Sequence, residues 1–247
     1  MGDLLGRLVE LEADVRYRER AAAGVPGTGC LLGTTPLLLS APHSAVHTRV
    51  GEPKEEEEYT AALACLVAEL TEAHALYVRR RSPTDPNWYK DVPYKRQLKR
   101  MVVEAGIRFV LDIHGSAPHR HFGIALGTMK GESCPDHRDT IIRLLEEHGF
   151  RRHADSLDYL DVDNRFTAGG LTGQETVTSF AWRGLGVPSA QLELHPSLRV
   201  VERREDATLP GPFHGDSERI ECVVQALVHL VSSLSSEEAR EWRIHDA

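Results

Sequence analysis

The stretch IRFVLDIHG, residues 107–115, decides the fold of this chain. It is short and rich in β-branched and aromatic side chains, which is typical of a buried strand rather than of a helix. Asp112 and His114 interrupt the apolar pattern near its carboxyl end, where buried polar groups need partners. We therefore predict a central strand over residues 107–113 that places His114 at its end.

Strands and helices alternate along the rest of the chain. Short apolar runs predict further strands at residues 36–40, 75–78, 123–127 and 189–194. Apolar residues at helical spacing predict helices at residues 59–70, 94–105, 138–148 and 218–234. This alternation predicts an α/β fold, a three-layer αβα arrangement with a mostly parallel or mixed sheet that helices cover on both faces.

One domain accounts for the whole chain, residues 1–247, because no internal repeat or low-complexity linker divides it. The domain is predicted to begin with an amphipathic helix at residues 3–22, in which Leu4, Leu8 and Leu11 recur at helical spacing. The apolar face of this helix could pack on its own sheet or on a second copy. A homodimer is therefore one expectation.

Composition narrows the class of partner. The chain has 247 residues, 41% of them hydrophobic, and a net charge of −8, which argues against nucleic acid or an anionic membrane as the main partner. It has no apolar run near the roughly 20 residues that span a bilayer, and its first twenty residues are too charged for a secretory signal. Its four cysteines are scattered without a CxxC pair. We predict a cytoplasmic protein that acts on a small molecule, without disulfides or a thiolate zinc site.

Three predicted strands end in polar residues, namely His43, His114 and Glu193. In open α/β sheets, sites form beyond the carboxyl ends of the strands, so residues far apart in sequence meet there. Histidine and carboxylate side chains are ligands for Zn²⁺, and a catalytic zinc keeps three protein ligands and a water. His43 and His114 are the candidate imidazole ligands, and the acidic run at residues 55–58 is the candidate source of the third.

The residues alone leave open which acid is the third metal ligand and whether Glu193 is the general base. Helical periodicity favours Glu56 within the acidic run, although a ligand in the first turn of a helix need not face the core. Glu193, flanked by leucines at a strand end, is the candidate general base, since partial desolvation raises the pKa of a carboxyl group towards neutrality. Each residue also has an ordinary structural explanation, such as a solvated helix start or a paired glutamate.

Three segments together resemble the N-formylglutamate amidohydrolase family, which is similar to zinc carboxypeptidases and aspartoacylase-like enzymes. They are SAPH at residues 40–43, LDIHG at residues 111–115 and QLEL at residues 191–194. Their order also matches, and the likeness extends over about residues 37–199. The resemblance implies a zinc-carboxypeptidase-like phosphorylase/hydrolase fold with one zinc.

The resemblance also implies roles for individual residues. It makes His43 and His114 metal ligands and Glu193 the general base. It selects Glu57 as the third ligand, because similar sequences have an acid six residues before the first helix leucine, here Leu63.

The chain departs from related patterns in positions where substrate carboxylates would be held. His43 is followed three residues later by Val46 rather than by the glutamate of zinc carboxypeptidases. Ser179 stands where an arginine is often found. These departures concern the substrate rather than the chemistry.

Arginine grips carboxylates through two parallel hydrogen bonds, which makes Arg49 and Arg165 the candidate substrate ligands. Arg49 is also placed with Glu193 among the catalytic residues, and Thr178 could add a hydroxyl donor. The leading hypothesis is a deformylase-type, zinc-dependent amidohydrolase that cleaves the N-acyl amide of a small amino-acid derivative through a zinc-activated water. The alternatives are a peptidase-like amidase for a γ-glutamyl or side-chain amide, and a non-catalytic metal-binding domain of the same fold.

Overall fold

The computed structural model describes residues 3–245, with side chains up to residue 236. The helices are α1 (Leu4–Glu12), α2 (Thr60–Thr71), α3 (Pro93–Ala105), α4 (Arg138–Glu147), the single turn α5 (Val177–Ser179) and α6 (Ser217–His245). The strands are β1 (Arg16–Arg20), β2 (Thr28–Leu31), β3 (Leu37–Ala41), β4 (His47–Arg49), β5 (Glu52–Lys54), β6 (His74–Val78), β7 (Arg80–Arg81), β8 (Phe109–Gly115), β9 (Ile124–Gly127), β10 (Leu160–Val162) and β11 (Ser189–Leu194).

A seven-stranded sheet in the order β10-β9-β11-β8-β3-β6-β2 forms the middle layer. Its four central strands β11, β8, β3 and β6 are parallel neighbours, whereas β9 and β2 run antiparallel to β11 and β6. The predicted mixed sheet is confirmed. Central parallel strands are covered on both faces, which is why they read as continuous apolar runs in the sequence.

Alternation along β8 shows how the three layers are built. Phe109, Leu111 and Ile113 face one apolar core, which contains residues of α1, α2, α4 and α6. Val110 faces a second core on the other side of the sheet, which contains residues of α3 and α5. Successive strand residues point to opposite faces, so the single strand supplies both cores. The predicted αβα layering is confirmed.

The N-terminal helix is shorter than the predicted residues 3–22. It ends at Glu12, and β1 follows and pairs in parallel with β7 in a separate two-stranded sheet. Val15 and Tyr17 are fully buried while Arg16 and Arg18 are exposed, which is the two-residue period of a strand. This alternation prevails because the helical leucines stop at Leu11. The short α1 packs against α2 and α6 of its own chain.

The acidic run lies before α2 rather than in its first turn. α2 begins at Thr60, and Tyr59 before it adopts a left-handed backbone with φ of +64°. Residues 55–58 therefore belong to the loop after β5, which can turn back towards the sheet edge. Across residues 3–245, no helix has the length and apolarity that crossing a membrane requires.

Candidate metal centre and adjoining cavity

His43, Glu57 and His114 converge at the carboxyl edge of the sheet. β3 and β8 are parallel neighbours, so the histidines that follow β3 and end β8 come together. Glu57 lies between them, with Oε1 2.9 Å from Nδ1 of His43 and Oε2 3.1 Å from Nδ1 of His114. The ring centroids of the two histidines are 4.8 Å apart. The structure therefore brings together the three residues predicted to hold the metal.

Contacts of the backbone and of the neighbouring acids explain why Glu57 faces this site. The Glu57 N–H donates to the His43 carbonyl at 2.9 Å, and the Gly115 N–H donates to Glu57 Oε2 at 2.9 Å. Glu56 accepts hydrogen bonds from the backbone and hydroxyl of Thr208. Glu58 forms a buried ion pair with Arg203. The two neighbouring acids thus contact other residues, and of the three it is Glu57 that lies between the histidines.

Each imidazole also has a carboxylate on its far side. Nε2 of His43 lies 2.8 Å from Oδ1 of Asp85, and Nε2 of His114 lies 3.0 Å from Oδ2 of Asp112. Such outer carboxylates orient metal-bound histidines and make them more basic. The candidate ligand atoms of His43, Glu57 and His114 all lie within 4.8 Å of one another. This donor set fits a catalytic zinc with an open coordination position.

A second group of potential ligands, His43, His47 and Asp85, lies behind the first. His47 stacks on His43 with ring centroids 4.0 Å apart, and Arg49 Nε is 2.5 Å from Asp85 Oδ2. Neither His47 nor Asp85 lines the cavity described below. A cation there would share His43 with the first site and face a guanidinium, so the first group is the better metal site.

The charges of the site favour bound cations. Burial acts to lower the pKa of His43, but the carboxylates of Glu57 and Asp85 outweigh it and raise the pKa to about 9. Burial also opposes ionisation of Glu57, yet His43 and His114 hold its pKa well below the ordinary value. A metal ion must displace the imidazole protons, so its binding here would compete with protons.

Glu193 lies directly beside the metal ligands. In the register of β11 and β8 it is the partner of His114. Its side chain is 7% exposed and accepts a hydrogen bond from Gln191 Nε2 at 2.8 Å. Burial raises the pKa of Glu193 to about 7. A carboxylate of this basicity at the wall of a cavity suits proton transfer near neutral pH.

A cavity of about 460 Å³ opens in front of these residues. Its wall includes His43, Glu57, His114 and Glu193 from the sheet edge. Three arginines also line it, namely Arg49, Arg120 and Arg165. Such a cavity is large enough for a small organic ligand.

The three arginines differ in the hydrogen bonds that they already form with the rest of the protein. Arg49 donates to Asp85, and its guanidinium lies 5.2 Å above the ring of Trp88. Arg120 lies 5.4 Å above the ring of Phe166, and its buried Nε has no hydrogen-bond partner within the described part of the chain. Arg165 is anchored through its backbone N–H, which donates to Asp161. An arginine donor held by an aromatic ring and lacking a partner is suited to an anionic ligand.

Thr178 does not line the cavity, contrary to its predicted role as a substrate donor. It is fully buried in α5, where its backbone carbonyl accepts a hydrogen bond from Ser189. Thr176, at the N-cap of α5, lines the cavity instead, and its hydroxyl donates to the Ala168 carbonyl. Neighbouring residues at a helix start point in different directions, and sequence spacing does not show which one faces the ligand.

Asp85 and Arg120 also lie at the site and were not predicted from the sequence. Asp85 lies in a proline-rich loop, and Arg120 lies in the segment PHRH at residues 118–121. The detectable signal for Arg120 is its place five residues after Gly115, just beyond a strand end. Gly115 itself is required, because a Cβ atom there would lie 2.6 Å from the buried guanidinium of Arg199.

No protein-family model and no curated protein matches this chain. Solved structures do resemble it. A bacteriophage poly-gamma-glutamate hydrolase is 15% identical, with a TM-score of 0.49 over 90% of this chain and 93% of that one. A putative carboxypeptidase A from Shewanella denitrificans OS-217 is 13% identical, with a TM-score of 0.48 over 85% of this chain and 61% of that one. A metallo-carboxypeptidase from Pseudomonas aeruginosa is 13% identical, with a TM-score of 0.47 over 94% of this chain and 68% of that one.

Proposed function

We propose that this protein is a zinc-dependent amidohydrolase that cleaves the N-acyl bond of a small, anionic amino-acid derivative. One observation carries the proposal. The carboxylate of Glu57 lies within hydrogen-bonding distance of Nδ1 of both His43 and His114, and Glu193 lies beside His114 in the same cavity wall. Three metal ligands and a separate carboxylate base are the elements of metal-assisted hydrolysis.

A zinc ion held by His43, Glu57 and His114 would supply Lewis acidity and an activated water. Glu193 accepts the proton of the attacking water, since it is basic and faces the cavity. It then passes that proton to the departing amine nitrogen, so that a neutral amine leaves. Gln191 positions Glu193 for both steps through its hydrogen bond to Oε1.

The arginines of the cavity define the substrate class. Guanidinium groups form paired, charge-assisted hydrogen bonds with carboxylates, so Arg120 and Arg165 are suited to the carboxylates of an amino-acid derivative. Arg49 holds Asp85 behind His43 and still borders the cavity, which places it where it can touch the substrate near the metal. An N-formylated or otherwise N-acylated acidic amino acid satisfies these requirements, and formyl is the acyl group that the sequence motifs favour.

The size of the cavity favours a second candidate as well. A volume of about 460 Å³ holds more than a formylated amino acid, and the three arginines outnumber the two carboxylates of an N-acylated acidic amino acid. An amidase for a γ-glutamyl or side-chain amide would use the same metal and base on a longer substrate. The two candidates differ only in which amide reaches Glu193.

Metal analysis and a substrate panel test the proposal together. Chelator-free protein should contain about one zinc per chain by mass spectrometry of the metal. The panel comprises N-formyl-, N-acetyl- and γ-glutamyl-amino acids, each with acidic and neutral side chains. Hydrolysis of an N-acyl acidic compound is expected, and exclusive hydrolysis of γ-glutamyl amides selects the second candidate. Bound zinc without turnover of any panel member would contradict both and leave a metal-binding domain.

A further inference from the structure

A second cavity, of about 760 Å³, lies outside the candidate active site. Its walls come from the end of β1 and the following loop, from β7, and from one face of α3. Strand β4 borders both this cavity and the first one. Thr48 faces the second cavity while its neighbour Arg49 faces the first.

Five arginines line this second cavity, namely Arg20, Arg80, Arg81, Arg96 and Arg100. No acidic side chain of the described residues lines it. This concentration of positive charge occurs in a chain whose net charge is −8. Charge of one sign in a concave site attracts ligands of the opposite sign.

Two of these arginines occupy paired backbone positions on neighbouring strands. Arg20 and Arg81 are register partners in the parallel pairing of β1 with β7. Charges of the same sign that lie close together repel each other. Neither residue has a side-chain partner in the described part of the chain, and the same is true of Arg100 across the cavity. A bound anion between these groups would remove the repulsion.

The other two arginines have only surface partners. Arg80 pairs with Glu19 at 2.9 Å, and Glu19 is 64% exposed. Arg96 pairs with Asp91, which is 82% exposed. Exposed ion pairs of this kind contribute little, so both guanidiniums can turn to a ligand at small cost.

The cavity also has an apolar part. Val25 and Pro26 border it on the β1 side, and Pro93 and the buried Tyr94 border it at the start of α3. A ligand that fills the cavity therefore combines several negative charges with an apolar or aromatic body.

We propose that this cavity is a second binding site, for a small organic molecule that carries two or more phosphate or carboxylate groups. Guanidinium groups recognise both kinds of anion through paired hydrogen bonds. The proposal is independent of the chemistry at the metal centre.

Isothermal titration calorimetry on the zinc-loaded protein tests it. The probes are adenosine 3′,5′-bisphosphate and propane-1,2,3-tricarboxylate, with adenosine as the uncharged reference. At least one polyanion should bind at a concentration below about 1 mM, more tightly than adenosine and more weakly as salt rises. Binding of the bisphosphate or of the tricarboxylate identifies the preferred anion. If neither binds, or adenosine binds equally well, the proposal is wrong.

Paired variants locate the binding. The double variant Arg81→Ala/Arg100→Ala should weaken binding by about tenfold or more, because each substitution removes a charge-assisted contact with the anion. Arg143→Ala with Arg152→Ala removes the same net charge from exposed positions elsewhere and should leave binding unchanged. If the double variant does not fold, Arg100→Ala alone is the variant to use, because Arg100 is exposed and its side chain forms no hydrogen bond or ion pair with the described residues. Equal weakening by the control pair, or none by the cavity variants, would overturn the proposal.

Discussion

Nε2 of His43 lies 2.8 Å from Oδ1 of Asp85, on the side of the ring opposite to Glu57. Asp85 is fully buried, and His43 and Arg49 keep its pKa below the ordinary value although burial acts to raise it. The carboxylate therefore stays ionised and fixes which imidazole nitrogen is free for a metal. His114 has the same arrangement with Asp112.

Asp85→Asn should weaken zinc binding by about 10- to 100-fold, the usual effect of losing an outer carboxylate behind a histidine ligand. Competition with a chromophoric chelator measures the zinc dissociation constant. Asp139→Asn, on the exposed surface of α4, is the matched control and should behave as wild type. Unchanged zinc affinity in Asp85→Asn would contradict the role of Asp85 as the outer carboxylate of a metal-bound His43.

Glu193→Gln should keep its zinc and lose turnover by about 10²- to 10⁴-fold, because the amide cannot take the proton of the attacking water. His114→Ala should instead lose the metal. Zinc content and kcat of the two variants separate these effects. Full activity of Glu193→Gln on the best panel substrate is the result that excludes Glu193 as the base.

Arg120→Ala should raise KM for an N-acyl acidic amino acid by about 10- to 100-fold, since a hydrogen bond to a charged group contributes about 1.5–3 kcal/mol. The corresponding neutral amide of the substrate should be affected far less, and comparing the two isolates the charge. Arg183→Ala is the control, because Arg183 is an exposed arginine paired with Glu132. An equal loss for charged and neutral substrates would mean that Arg120 only supports the fold.

Glu12→Gln should change how stability depends on pH. Burial raises the pKa of Glu12 from 4.5 to about 7, although hydrogen bonds from Tyr17 and the Tyr59 N–H oppose this. The folded protein thus binds this proton more tightly than the unfolded chain. The contribution of the neutral carboxyl is fully present below pH 4.5 and is lost as pH rises through about 7.

Relative to wild type, Glu12→Gln should therefore gain up to about 3 kcal/mol of unfolding free energy between about pH 5 and pH 8. The amide oxygen can still accept from Tyr17 and Tyr59, so the variant should fold. Urea denaturation at both pH values gives the difference. Glu10→Gln, which alters an exposed acid on the same helix, should show no such change. A pH-independent difference for Glu12→Gln would contradict the raised pKa.

The sequence by itself determined the central sheet and the residues at its edge. Residues 107–113 and 189–194 are recognisable because strands covered on both faces need apolar side chains on both faces. His43, His114 and Glu193 stand out because they are polar residues at or just beyond the carboxyl ends of apolar runs.

Only the tertiary structure decided which other residues lie at the candidate site beside the two histidines and Glu193. Glu56, Glu57 and Glu58 are chemically identical, and contacts of Glu56 with Thr208 and of Glu58 with Arg203 leave Glu57 to face the histidines. Asp85 and Arg120 reach the site from irregular loops, which carry no periodic signal. The length of α1 was likewise decided by the burial of Val15 and Tyr17, because contacts between distant segments prevail over local helical spacing.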